Sequence, residues 1–220
     1  MTVHNHGNHS TADNDGQPES LLIRDGRIAD VYRYDGLKRV GISVARRSFT
    51  MTTAWMLPVA TSGWVLLDFT LSDDPADPST LPSGEFDLPL VIADRQFDAK
   101  NQIPYVFNPN GVTGDKFLVN GVYQPYLEVG DRKYRFRILN ASNFRTYFLE
   151  LSSGDSFIQI GTESGLLPAP VTRTGMRMGP AERLDVVVNF AGELGQNIYL
   201  VDAADRHAIA RVPGDSARHR

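Results

Sequence analysis

The sequence predicts an all-β protein, either a β-sandwich or a Greek-key barrel, on three observations. Short apolar runs recur through residues 85–200, and turn-forming residues bound each run. Residues 133–138 alternate strictly between apolar and charged side chains, which is the period of a β-strand. No segment of the 220 residues sustains a helical period. About seven or eight strands at this spacing are typical of a two-sheet sandwich or a closed barrel.

Individual strands follow from local patterns. The nearly continuous apolar run 88–93 suits a buried strand. Asn120-Gly121 lies between the candidate strands 116–120 and 122–129 and is a hairpin signal. In 133–138, Tyr134, Phe136 and Ile138 share one face and the charged side chains share the other. The remaining predicted strands are 145–151, 157–160, 184–190 and 197–201.

Composition narrows the possible functions. Apolar residues make up 41% of the chain, enough for a sizeable core, and the net charge is -4. This charge argues against a nucleic-acid partner, which would require a basic face. The absence of cysteine excludes disulfides, zinc–cysteine sites, thiol catalysis and a cysteine-ligated blue copper within this chain.

Neither a signal peptide nor a membrane span is predicted. The N-terminus is polar and His-rich and has no apolar core, so the chain is either cytoplasmic or lacks its true start, and its localisation stays open. Residues 48–67 carry no charge, but they include Pro58 and several Ser and Thr residues, and Asp68 follows directly. A spanning helix needs about 20 mostly apolar residues, so we expect no membrane partner.

The residues that could bind a metal are His4 and His6. Alternate residues of an extended segment point to the same side, so both imidazoles could reach one metal or two neighbouring metals. Two simpler interpretations stay open. The histidines could belong to an exposed polar terminus. If Met1 is removed, the amine of Thr2, two backbone amides and the His4 imidazole could hold Cu(II) without any fold.

Three downstream strings give the His4-Asn5-His6-Gly7 motif a context. They are Gly121-Val122-Tyr123-Gln124-Pro125-Tyr126-Leu127, Arg135-Phe136-Arg137-Ile138 followed by Asn140-Ala141-Ser142, and Pro180-Ala181-Glu182-Arg183 followed by Asp185. In this order the chain resembles the multicopper oxidases of the bacterial spore-coat laccase and bilirubin oxidase type. The resemblance is loose over residues 1–45 and close over residues 72–200.

This resemblance implies a cupredoxin-like Greek-key β-sandwich, with one partial and one near-complete domain. Residues 1–71 would form a partial first domain, 72–84 a Pro-rich linker, 85–205 the second domain and 206–220 an irregular tail. The implied cofactor is copper. His4 matches a type 2 copper ligand and His6 a type 3 ligand, whereas His9 has no matching role. The implied partners are a small aromatic or tetrapyrrole substrate and O2, which the family reduces to water.

Most of the family's copper ligands have no counterpart here. The resemblance implies four ligand motifs, and only the first is present. The first strands and the third domain, which carries the type 1 copper and its cysteine, have no counterpart either. No histidine occurs between His9 and His207, where a second His-x-His motif is expected.

A shifted reading frame would account for the missing second motif. When codons are written for residues 49–71 and read from the third base of each, they can spell Tyr-His-Asp-His, then Met, Asn-Val-Trp and Gly-Leu-Ala-Gly-Phe-Tyr, in the order of the family. The codons of Met51 and Thr52 must then give Asp. We predict that residues from about 40 to 71 are a frameshifted reading with no evolved structural role.

Three functional interpretations follow. The first is a copper-dependent oxidoreductase of the multicopper type, for which this chain retains too few ligands to turn over alone. The second is a non-catalytic structural or copper-binding fragment. The third is a non-functional gene product whose incomplete first domain leaves strand edges and apolar surface exposed, both of which promote aggregation.

Overall fold

The structure is a computed structural model. It describes residues 2–6, 47–55, 64–73, 81–104, 108, 110–163, 165–204 and 207–213, the first three of these segments by their backbone only. The chain divides into two compact units. The first comprises Met1–Pro78 with Glu163–Leu166, and the second comprises Ser79–Thr162 with Leu167–Arg220. No helix among the described residues is long and apolar enough to cross a membrane.

The first unit contains a three-stranded antiparallel sheet in the order β1-β2-β3. Strand β1 is Thr2–His6, β2 is Arg47–Trp55 and β3 is Trp64–Asp73. Pairing of β2 with β3 shifts register between Thr52 and Thr53.

Strands β2 and β3 lie largely within the stretch for which we expected no evolved structural role. Their residues include Thr, Val, Phe and Trp. These residue types favour an extended backbone whether or not the reading frame is shifted. Strand formation is therefore compatible with a frameshifted origin, and the frameshift stays a prediction.

The second unit contains two sheets. The seven-stranded sheet has the order β10-β9-β12-β7-β4-β5-β6 and the four-stranded sheet the order β11-β8-β13-β14. A short 3-10 helix, Gly84–Phe86, precedes β4. The strands are β4 Asp87–Arg95, β5 Lys116–Val119, β6 Val122–Tyr123, β7 Lys133–Asn140, β8 Tyr147–Leu151, β9 Phe157–Thr162, β10 Gly165–Arg173, β11 Gly175–Met178, β12 Arg183–Asn189, β13 Asn197–Asp202 and β14 His207–Pro213.

The core of the second unit lies between these two sheets. Phe136, Ile138 and Val186 from the large sheet belong to one buried cluster with Leu149 and Leu200 from the small sheet. The predicted alternation in 133–138 is confirmed, because Tyr134, Phe136 and Ile138 all belong to this cluster. The other face of β7 is also buried, and Arg135 and Arg137 are only 0% and 2% exposed.

The Asn120-Gly121 hairpin is confirmed. Both residues have positive φ, 51° and 80°, which is typical of the two-residue turns that join antiparallel strands. The Asn120 side chain also holds the neighbouring strand β4, because its Oδ1 accepts from the amide of Val91 at 2.8 Å and its Nδ2 donates to the carbonyl of Pro89 at 3.0 Å. The second strand ends earlier than predicted, at Tyr123 instead of residue 129.

Three strands of the second unit had no prediction, and each is the edge of a sheet. β10 borders the large sheet, while β11 and β14 border the small one. β10 contains Pro168 and Pro170. Proline has no amide donor, and an edge strand tolerates it because no donor is needed on the unpaired side of the strand. The prediction of an irregular tail from residue 206 is wrong for His207–Pro213, where β14 pairs with β13 and buries Ile209.

Candidate metal centre

The two candidate ligands His4 and His6 lie at alternate positions of strand β1. In the β1–β2 register, His4 is opposite Thr53 and His6 is opposite Met51. Pairing with β2 gives the motif an extended backbone, in which residues two apart share a face. The strand thus provides the spacing that the sequence analysis required for two imidazoles on one side.

The chemistry of the donor set fits copper only in part. Imidazole is a good copper ligand, but two imidazoles leave most of a coordination sphere to other donors. Among the described residues, no group of three or more His, Cys, Asp and Glu side chains is close enough to hold a metal ion. The second unit in particular has no histidine before His207.

Two of the three strings that carry the family resemblance reach the paired strands β7 and β12. In the register of β7 with β12, Arg135 is opposite Val187 and Arg137 is opposite Asp185. Asp87, at the start of β4, is opposite Arg135 across a parallel pairing. Arginines and carboxylates from three neighbouring strands therefore meet on one face of the large sheet.

These side chains form a buried ion network. Arg135 Nε donates to Asp185 Oδ1 at 2.7 Å, and a second bond joins its Nη2 to Asp185 Oδ2. Arg137 donates to both oxygens of Asp87, at 2.9 Å from Nε and 2.5 Å from Nη2. Nη1 of Arg135 lies 3.5 Å from Asp87 Oδ2 and links the two pairs. Bidentate pairing of this kind offsets the cost of burying charge, so the network holds strands together and has no reactive group to offer a substrate.

The chain is similar in sequence to known proteins. The laccase of Bacillus subtilis (strain 168) is 36% identical over 222 residues, which cover 92% of this chain and 42% of the laccase. The cell division protein FtsP of Xenorhabdus nematophila is 42% identical over 132 residues, 60% of this chain and 28% of that protein. No family model matches the chain.

The structural likeness extends over the whole chain. The crystal structure of the McoA multicopper oxidase from the hyperthermophile Aquifex aeolicus superimposes with a TM-score of 0.76 at 28% identity, covering 100% of this chain and 51% of that one. The chain belongs to the multicopper oxidase family. The expected cupredoxin-like β-sandwich is confirmed, and copper is the metal of this family. The chain spans about two fifths of the length of the laccase it matches, 42%.

The Asn140-Ala141-Ser142 string of this multicopper oxidase chain has a structural role at the end of β7. The Asn140 side chain is fully buried and donates to the carbonyl oxygens of Arg145 at 2.8 Å and Met178 at 3.0 Å. Its Oδ1 accepts from the amide of Ser142 at 2.9 Å. The string fits the acceptor pattern for N-glycosylation, and in this structure it forms the turn at the end of β7.

Ser142 extends the turn into the core. Its Oγ accepts from the amide of Asp94 at 3.1 Å and shares a hydrogen bond of 2.8 Å with the Tyr147 hydroxyl. Burial raises the pKa of Tyr147 above its ordinary value, and the bond to Ser142 opposes this only in part. The phenol therefore stays protonated in the folded protein at neutral pH.

A second buried cluster, which the sequence analysis missed, surrounds Arg145. This guanidinium donates to Asp94 Oδ2 at 3.1 Å and to the carbonyl of Gly114 at 2.9 Å, and its Nη1 lies 3.7 Å from Asp202 Oδ2. It also lies over the ring of Phe117, 4.9 Å from the centroid. Asp94 is the next-to-last residue of β4 and Asp202 is the last residue of β13. An acidic residue that follows an apolar run was the signal available in the sequence.

Proposed function

We propose that this chain supplies part of a copper site of a multicopper oxidase, with His4 and His6 as copper ligands. In the complete enzyme, copper would pass electrons from a phenolic or tetrapyrrole substrate to O2, which is reduced to water. This chain by itself would not turn over, because the described residues and the sequence offer two imidazoles for a reaction that needs a full ligand set.

The observation that carries the proposal is the position of the motif. His4 and His6 occupy alternate positions of a paired strand, β1, in a chain of the multicopper oxidase family. Resemblance to the family assigns His4 to type 2 and His6 to type 3 copper. The role of these residues here is to hold and orient metal, since imidazole nitrogens donate electron pairs without undergoing redox change themselves.

Copper quantification and an oxidase assay on the purified chain test the proposal. We expect at most one copper per chain, lost on His4→Ala or His6→Ala and retained on His9→Ala, with no oxidation of a phenolic substrate. Copper retained in both His4→Ala and His6→Ala would contradict the assignment. Several coppers per chain with turnover would contradict the inactivity.

A second measurement separates the motif from adventitious binding at the free N-terminus. The terminal site needs the free amine of Thr2 and the His4 imidazole, and it does not need His6. An extension of a few residues before Met1 should therefore leave copper binding unchanged if the motif is the site. If the extension abolishes binding while His6→Ala preserves it, the terminal amine holds the metal.

A second candidate function is a non-catalytic structural or copper-binding fragment. Two observations favour it. The second unit has no histidine before His207, and one relative is named as a cell division protein and not as an oxidase. If the fragment is purely structural, chelation of copper with EDTA leaves the melting temperature of the chain unchanged. Under the copper-site proposal, removal of bound copper lowers it, because a ligand of the native state stabilises that state.

A further inference from the structure

The second unit has a cavity of about 280 Å³ between its two sheets, and one side of this cavity is open to solvent. Phe136 and Val188 line it from the large sheet, and Leu200 and Ala210 line it from the small sheet. Protein interiors pack as densely as organic crystals and rarely leave voids larger than one water molecule. A cavity of this size inside a sandwich core therefore indicates space for something other than water.

The lining of the cavity is apolar. No charged side chain contributes to it. The exposed Asn120 contributes the one amide side chain of the lining, and both of its ends are already bonded, to the amide of Val91 and the carbonyl of Pro89. The buried ion network lies on the opposite face of β7, because Arg135 and Arg137 alternate with the lining residue Phe136.

Solvent can reach the cavity at the β5–β6 hairpin. Val122 and Tyr126 line this end, and they are 56% and 66% exposed. Large apolar side chains that stay exposed beside an apolar cavity are typical of the entrance to a ligand site. The phenol of Tyr126, at this entrance, carries the only hydroxyl group among the lining residues.

The size and chemistry of the cavity limit its occupant. An engineered apolar cavity of about 150 Å³ binds benzene, so a cavity nearly twice as large accommodates a molecule of about two fused rings. A charged group would lose its hydration without gaining a partner, which costs several kcal/mol as a general rule. The occupant must therefore be neutral and almost wholly apolar.

We propose that the second unit binds one neutral two-ring aromatic molecule, or a hydrocarbon of similar size, in this cavity. The site is independent of the copper motif, since every lining residue belongs to the second unit and none is a candidate metal ligand. Binding would be driven by the apolar surface that both the ligand and the cavity remove from water.

Naphthalene and 2-naphthoate are the probes that test this proposal on the full 220-residue chain. They share a ring system and differ by a carboxylate. We expect naphthalene to bind with a stoichiometry of one by titration calorimetry and to raise the melting temperature by a few degrees, because a ligand of the native state stabilises it. We expect no binding of 2-naphthoate. Absence of naphthalene binding, or equal binding of both probes, overturns the proposal.

Cavity-filling variants test whether naphthalene binds in this cavity. Ala210→Leu adds three carbons to the wall, and Ala191→Leu makes the same change at an exposed loop position that does not line it. Naphthalene stabilisation should disappear in Ala210→Leu and persist in Ala191→Leu. Should Ala210→Leu fail to fold by circular dichroism, Leu88→Phe fills the cavity from β4. Naphthalene binding that survives in a folded cavity-filling variant contradicts the assignment.

Discussion

At the scale of single residues, the second unit depends on charged side chains that are almost fully buried. Arg135, Arg137, Asp94 and Asp202 are all 5% exposed or less. Each has a partner of opposite charge within 4 Å, so the desolvation of each charge is offset by ion pairing and hydrogen bonds. Loss of one partner would leave the other charge buried without compensation.

Replacement of Arg135 by alanine should be strongly destabilising. It leaves Asp185 without its bidentate partner, and the removal of one member of a buried ion pair costs about 3–5 kcal/mol. The midpoint of urea unfolding measures this change. Lys133→Ala, at an exposed position of the same strand, is the matched control and should shift the free energy of unfolding by less than about 0.5 kcal/mol.

Tyr147 should make the stability of the chain depend on alkaline pH. Burial raises the pKa of Tyr147, so the folded chain keeps the phenolic proton when the unfolded chain, with an ordinary pKa of about 10, has lost it. The unfolded state then binds fewer protons, and stability falls as the pH rises above about 10. Asp94, Arg145 and Asp202 are the charged groups that act on this phenol.

The variant Tyr147→Phe isolates this effect. At pH 7 it should be about 1 kcal/mol less stable than the native chain, because the hydrogen bond to Ser142 is lost. At pH 11 the difference should shrink or reverse. Urea unfolding at both pH values measures it, with Tyr126→Phe at an exposed position as control. A stability difference for Tyr147→Phe that is the same at both pH values would show that the native state does not retain the proton.

At the scale of secondary structure, two positions require glycine for different reasons. Gly121 has a positive φ of 80° and no atom within 4 Å of where a Cβ would stand, so the turn needs its backbone freedom. A Cβ on Gly114 would come within 2.3 Å of the backbone of Arg95. Gly114 is therefore required for close packing against the end of β4, where its amide donates a hydrogen bond to Asp94 Oδ2.

Alanine at these two positions should have unequal effects. Gly121→Ala introduces only backbone strain, about 1–2 kcal/mol. Gly114→Ala must displace backbone atoms and should cost at least about 3 kcal/mol, the upper end of the range for overpacking. Thermal unfolding of the two variants gives the comparison, and equal melting temperatures would contradict the close approach of β4 to Gly114.

The central strands of the second unit were predictable, and three of its four edge strands were not. Lys133–Asn140 and Arg183–Asn189 carry dense apolar patterns because both of their faces are buried. Gly165–Arg173, Gly175–Met178 and His207–Pro213 pair on one side only, and their patterns are short or interrupted by proline. Each of these segments becomes a strand because a neighbouring strand offers it hydrogen bonds. The local sequence does not encode the position of that neighbour.

At the scale of the whole molecule, the two units carry different parts of the family resemblance. The second unit has a buried apolar core and two buried ion clusters, one of which includes Arg135, Arg137 and Asp185 of the family strings. The first unit contains the copper motif and also the stretch from about 40 to 71 that we interpret as frameshifted. Copper binding by this chain therefore depends on the first unit.

Nucleotide sequencing across codons 36–75 tests the frameshift prediction. We expect the alternative frame to spell Tyr-His-Asp-His in place of residues 49–53 and to rejoin the present frame before Ser72. Any other set of residues in the alternative frame ends the hypothesis. Restoration of that frame would add two histidines to a chain that now contains five.

The sequence by itself determined the all-β class, the family, the hairpin at Asn120-Gly121 and the candidate ligands His4 and His6. These features are written in local patterns: alternation, turn residues and short strings in a given order. Only the tertiary structure decided that Arg135 and Arg137 are buried partners of Asp87 and Asp185, and that an apolar cavity lies behind Phe136. The ion pairs join residues about 50 positions apart, and the cavity is lined by residues from Leu88 to Ala210. These residues meet only when the sheets form, so no local pattern could predict either feature.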